Sequence, residues 1–199
     1  AGQGLVFWGP YRLSKGTNPV QFTRHSGRGL VSCTATSSFN AFKGAGISFH
    51  SGTWSSDVFY STTNLDASLQ DKGVTSIDHS GLHRTENELK KQNALNETLF
   101  GLASGIHFQN GSLQFVLQSS HYSLPVRPAP GISTKYYFAG KENTVAGLNG
   151  HFMISTLQFF GEYAQSKNGG NALITGAIFQ LNRFDLVLSY RNYGTSFQN

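Results

Sequence analysis

Three histidines, His50, His107 and His151, carry the chemistry a reader would look for first, because neutral imidazoles are common metal ligands and general bases. A metal site would need the three to converge, yet each belongs to a different stretch of chain. The simpler reading makes them hydrogen-bonded interior histidines, with no cofactor or metal. A hydrolytic site can also be written down, from Ser48 or Ser55 with His50, or from Asp57 or Glu162 with His151. No GxSxG, HExxH or glycine-rich phosphate loop accompanies these residues, so catalysis is not expected. Arg24-His25-Ser26-Gly27-Arg28 could fork two guanidinium groups onto phosphates. The competing reading tucks Arg24 and Arg28, on an ordered loop, against an interior carboxylate at Asp57 or Glu162. Cys33 is the sole cysteine of the chain, which leaves no intrachain disulfide and no thiolate cluster, and it reads as a small apolar side chain.

The elements that would position these groups are strands. Four tight turns, Ser51-Gly52, Asn110-Gly111, Ile154-Ser155 and Asn182-Arg183, each join two alternating segments. Taken as two-residue loops they pair Phe49 with Trp54, Phe108 with Leu113, Phe152 with Leu157 and Leu181 with Phe184. Those eight residues form an apolar, aromatic-rich belt on one face. The other face carries His50, Asp57, His107, Gln114, His151, Glu162 and Arg191. Apolar exceptions on the polar face, namely Val145, Phe160, Ile178 and Val187, suggest an interior packed with side chains or plugged by a loop.

Longer, polar connections separate the hairpins. The longest, residues 63–97, reads as a loop with a short helix from Glu86 to about Leu95, announced by the capping box Thr85-Glu86-Asn87-Glu88. The Pro-containing stretch from Tyr122 to Thr134 reads as a second long loop. Leu5 to Trp8 is a short strand candidate, which brings the count to nine strands.

Tight turns at one end and long loops at the other are the organisation of an antiparallel up-and-down transmembrane β-barrel. Composition agrees: 23 glycines and only 13% charged residues suit a wall with lipid outside and polar groups inside better than a soluble surface. The chain contains no continuous apolar run of about 18 residues, so a membrane-spanning helix is excluded. Lys43, the outward cation within a hairpin strand, lies far from its turn, where it can snorkel towards the interface. The net charge of +5 is scattered along the sequence, so nucleic acid is not an expected partner. The 199 residues read as one domain. Nine strands is an odd number for a bacterial single-chain barrel. The ending Phe197-Gln198-Asn199 lacks a terminal aromatic, and the first residues lack a signal peptide's charged and apolar regions. The expectation is therefore a partial barrel, part of a longer protein.

Several segments resemble a family of Bacteroidetes outer-membrane β-barrel proteins that carry helix-hairpin-helix repeats before the barrel. They are Gly2-Gln3-Gly4-Leu5-Val6-Phe7-Trp8, Gly27-Arg28-Gly29, Phe59-Tyr60-Ser61, His83-Arg84-Thr85-Glu86, Asn93-Ala94-Leu95-Asn96-Glu97-Thr98-Leu99, Phe160-Gly161-Glu162, Gly169-Gly170 and Tyr190-Arg191-Asn192-Tyr193. The resemblance spans nearly the whole chain and implies a bacterial outer-membrane location. It supplies no catalytic residues, and the helix-hairpin-helix region has no counterpart here. The function expected is a channel, export or surface-assembly role, with membrane lipid and other envelope proteins as partners. The alternatives are a soluble β-sandwich binding module, such as an adhesin or carbohydrate binder, and a barrel hydrolase using His151 and Glu162.

Overall fold

The computed structural model describes residues 5–6, 43–71, 73–78, 80–131, 134–135 and 137–198. Alternating side chains and the tight turns between them produce nine strands in a single sheet. They are β1 Gly44–Ser51, β2 Trp54–Gln70, β3 Gly73–Asp78, β4 Leu95–Phe108, β5 Gly111–Val126, β6 Gly140–Ile154, β7 Leu157–Ser166, β8 Asn171–Gln180 and β9 Asp185–Tyr193. The one helix among the described residues, α1, is Glu86–Leu89. Strands β1, β2, β4, β5, β6, β7, β8 and β9 pair antiparallel, each with the next. The pairing ends at β1 and β9, which are not joined to each other among the described residues.

The two faces fall as the alternation predicts, but three of the four registers do not. Phe49 pairs with Ser56, Phe108 with Gly111, and Phe152 with Phe159, each two residues away from the expected partner. Only the last hairpin keeps the expected register, with Gln180 opposite Asp185 and the Leu181 N–H donating to the Phe184 carbonyl at 3.1 Å. A slip of two residues preserves the faces, because side chains repeat every two residues. Turn chemistry explains the slips. Gly52, at φ +56°, is the first of the two turn residues and not the second, the place a type II′ turn gives to glycine. Ser155 takes the same position in its hairpin at φ +53°. Gly111 lies in β5 itself, where an added Cβ would collide with the His151 carbonyl and the Phe108 ring. Its small size serves close packing there, so the Asn-Gly pair is not the turn.

Four further expectations are corrected. Residues 63–97 are about half sheet: β2 runs on to Gln70, turns through Asp71 at φ +48°, and returns as β3, with a bulge between Ser68 and Leu69. Strand β3 reaches the same two strands that flank β4, pairing antiparallel with β2 and making one parallel bridge from Val74 to Val126. Strand β5 likewise continues to Val126, into the expected second loop. The helix is capped as predicted, with the Glu88 N–H donating to Thr85 Oγ1 at 3.3 Å and Glu88 Oε2 accepting from the Thr85 N–H at 3.1 Å, but it stops at Leu89. Leu5 and Val6 are not in a strand; they form a buried bend, and Phe7 and Trp8 lie outside the described residues. The strand count of nine therefore stands with β3 in place of the amino-terminal segment.

The core has two parts. The larger lies on the inner face, where Leu5 and Val6 pack with Val145, Phe160, Ile174 and Ile178. Large rings there face glycines. A Cβ on Gly176 would stand 2.5 Å from the Phe160 ring, and one on Gly101 would collide with the Phe59 ring. The smaller cluster, around Ala67, Val74, Leu95 and Val126, closes the loop end.

Candidate functional site

Direct pairing across the strands lays out one inner row: His50, Ser55, Gly105, Gln114, Asn149, Glu162, Ile174 and Arg191, in order from β1 to β9. Four of the seven polar residues expected inside, His50, Gln114, Glu162 and Arg191, belong to it. His107 and His151 stand one row nearer the turns, each opposite Ser112, and Asp57 stands one row nearer the loops. Burial follows position in the sheet. Ser55, Gln114, Asn149 and Glu162 are buried, whereas His50 and Arg191, on the two end strands of the sheet, are exposed.

The three histidines do not meet. His107 Nε2 is 2.8 Å from Ser55 Oγ, His151 Nδ1 is 3.0 Å from Ser112 Oγ, and His50 is on β1 at the edge. Among the described residues no three His, Cys, Asp or Glu side chains gather to hold a metal ion. Ser55–His107 is a serine–histidine contact that differs from the expected Ser55–His50 pairing. Among the described residues it lacks a carboxylate bonded to the histidine, the orienting third member of a nucleophile–base chain.

Arg24 and Arg28 lie outside the described residues. Glu162, the carboxylate suggested for them, is 2% exposed, and its Oε1 accepts from the backbone N–H groups of Leu5 at 3.2 Å and Val6 at 3.1 Å. Leu5 and Val6 thus occupy the inner face beside Glu162. Beside Glu162, Asn149 is 5% exposed and its Nδ2 has no hydrogen-bond partner among the described residues.

The outer face is apolar over a band and polar beyond it. Phe49, Trp54, Phe108, Leu113, Phe152, Leu181 and Phe184 are exposed, and Leu157 is half-buried. The ring centroids of Phe49 and Trp54 are 5.4 Å apart, and those of Phe108 and Phe152 are 6.0 Å apart. Along β4 the band runs from Phe100 to Phe108, about 26 Å along the strand at ~3.3 Å per residue, which is about 20 Å of height at a barrel's tilt of ~40°. Towards the loops it gives way to a polar row, Thr62, Thr98, His121 and Glu142. Glu142 also meets Lys167 Nζ at 3.1 Å and His121 Nδ1 at 3.4 Å.

Sequence reasoning missed one cluster at the loop end. Asp66, buried in β2, approaches His83 Nε2 at 2.6 Å and accepts from the Asn93 N–H at 2.9 Å, which ties the helical connection to the sheet. Its members are 17 and 27 residues apart, and no local pattern announces it. Asn93, at φ +54°, marks where the chain turns back after α1.

The fold defines the class: an all-β protein built on one nine-stranded sheet with an exposed apolar face. No protein-family model, curated protein or solved structure matches the chain.

Proposed function

We propose that the chain is part of a transmembrane β-barrel of the bacterial outer membrane, with a channel, export or surface-assembly role and no chemistry of its own. The observation that carries this reading is the exposed outer band. Contiguous apolar patches beyond a few hundred Å² mark interaction or membrane surfaces, and an outer-membrane barrel shows lipid a band about 25 Å tall. The likeness to the Bacteroidetes barrel family points the same way.

In lipid, unpaired backbone groups cost several kcal/mol each, so the edges of β1 and β9, unpaired among the described residues, call for further strands beside them. A soluble β-sandwich would bury Trp54, Phe108, Phe115 and Phe159 against a second sheet. Here one sheet leaves them exposed, which favours lipid as the occupant of that face.

The test uses Trp54 fluorescence in a Trp8→Phe chain. Brominated lipid acyl chains are expected to quench Trp54, and a water-soluble quencher to reach it poorly. Recovery of the full-length protein in the soluble fraction without detergent would overturn the reading.

A further inference from the structure

We infer that the inner face around Glu162 is a polypeptide-binding site, whose resident is the chain's own Leu5–Val6 bend and which accepts a like apolar segment supplied in trans. This goes beyond the membrane reading and does not depend on it.

The first observation is the double acceptor. One buried carboxylate oxygen, Glu162 Oε1, takes the N–H groups of two successive residues, which is recognition of a main chain. The second is the amide opposite it. Asn149 and Glu162 are direct partners on β6 and β7, and Asn149 Nδ2 is buried without a partner among the described residues, although such a donor costs free energy when left unmade. An acceptor for N–H groups and a donor for a carbonyl thus stand side by side, matching the two faces of a peptide unit. Among the described residues, Leu5 and Val6 use the acceptor and leave the Asn149 donor open.

The third observation is the apolar recess around this polar pair. Val6 Cγ2 sits 2.7 Å from where a Cβ on Gly147 would be, so a glycine on β6 makes the space the valine fills. Phe160, Ala164, Ile174 and Ile178 complete a pocket for aliphatic side chains. The ligand class that satisfies all three features is an extended or bent apolar polypeptide segment with two free consecutive amides.

The experiment measures binding of a fluorescent heptapeptide with the sequence of residues 2–8 to the full chain in detergent, with folding checked by circular dichroism. In the Leu5→Asp chain, where a charge expels the resident segment from its apolar pocket, the peptide is expected to bind about tenfold or more tightly than in the unaltered chain. N-methylation of the peptide's leucine and valine amides removes both donors and keeps both side chains. That change is expected to weaken binding by about tenfold or more, as is Glu162→Leu in the same background.

Equal binding of the methylated and unmethylated peptides would overturn the proposal, as would failure of the folded Leu5→Asp chain to bind the unmethylated one. Hydrogen exchange supplies a readout that needs no added peptide. The Leu5 and Val6 amides of the unaltered chain are expected to exchange at least about tenfold more slowly than in Glu162→Leu, and equal rates would overturn the assignment. Membrane partitioning plays no part in these outcomes, so failure here and failure of the membrane reading are separable.

Discussion

Phe159 and Phe160 stand side by side on β7, and the first is 44% exposed while the second is 3% exposed. The same contrast runs across the middle of the sheet: Phe115 against Val116, Leu173 against Ile174. Inside, the neighbours are protein, and packing decides what each position tolerates. Outside, the position touches whatever surrounds the molecule, so its tolerance reports that medium. The two faces therefore answer different questions, one about stability and the other about environment.

The largest expected effect lies inside. Phe160→Ala should lower stability by about 3–5 kcal/mol by opening a cavity against Ile174 and Ile178, measured by urea unfolding in lipid vesicles or in detergent alike. Next comes a charge outside. Leu148 shares a row with Phe115 and Tyr163, midway between the rows of Phe100 and Phe108, so Leu148→Arg should cost about 2–4 kcal/mol in lipid. Leu157→Arg, beside its turn, should cost about 0–1 kcal/mol. Loss of that depth dependence, with both arginines tolerated in the vesicle measurement, would erase the distinction between the faces as one of lipid against protein.

A smaller, local effect belongs to the loop end. Thr85→Ala removes the helix cap and should cost about 0.5–2 kcal/mol, seen as faster amide exchange over residues 86–90 with the strands unaffected. The smallest is its pH dependence. The Arg84 N–H, donating at 2.7 Å, holds the Glu88 carboxyl below its usual value, with further help from the Thr85 N–H and the Arg84 guanidinium. A folded value depressed in this way contributes stability that is present above the ordinary carboxylate range and lost as pH falls through the folded value. Protection of α1 should hold from neutral pH down to about pH 5 and fade below about pH 4. Constant protection down to pH 2 would refute the cap's electrostatic part.

What could be read beforehand and what could not separates on physical grounds. The faces were legible because alternation has a period of two and survives a two-residue slip. The registers were not, because Gly52 and Gly111 are small for different reasons, a positive φ in one and a crowded neighbour in the other. The far half of β2 and all of β3 carry polar residues such as Asn64, Asp66 and Ser68 beyond the apolar band, so they resembled a loop. Leu5 and Val6 read as strand because a plug buried in an apolar interior needs the same residues as a short strand does. Of the inner row, the polar members could be listed from alternation. Their order across the sheet, the unpartnered Asn149 amide and the hold of Glu162 on the amino-terminal segment needed three-dimensional pairing.

The glycine–phenylalanine contacts inside bear on how such a sequence changes over time. Gly176 with Phe160, and Gly101 with Phe59, each divide one volume unequally between two strands. Mutations at the second pair are expected to be epistatic: alanine at Gly101 meets the Phe59 ring, so it should be harmful alone and tolerated once that ring has shrunk to leucine, whereas alanine at Gly176 also meets the Leu188 carbonyl and is not rescued by a smaller residue at position 160. Descendants would then drift along a ridge of compensated changes at positions 59 and 101, which would share a substitution history, while glycine stays fixed at 176.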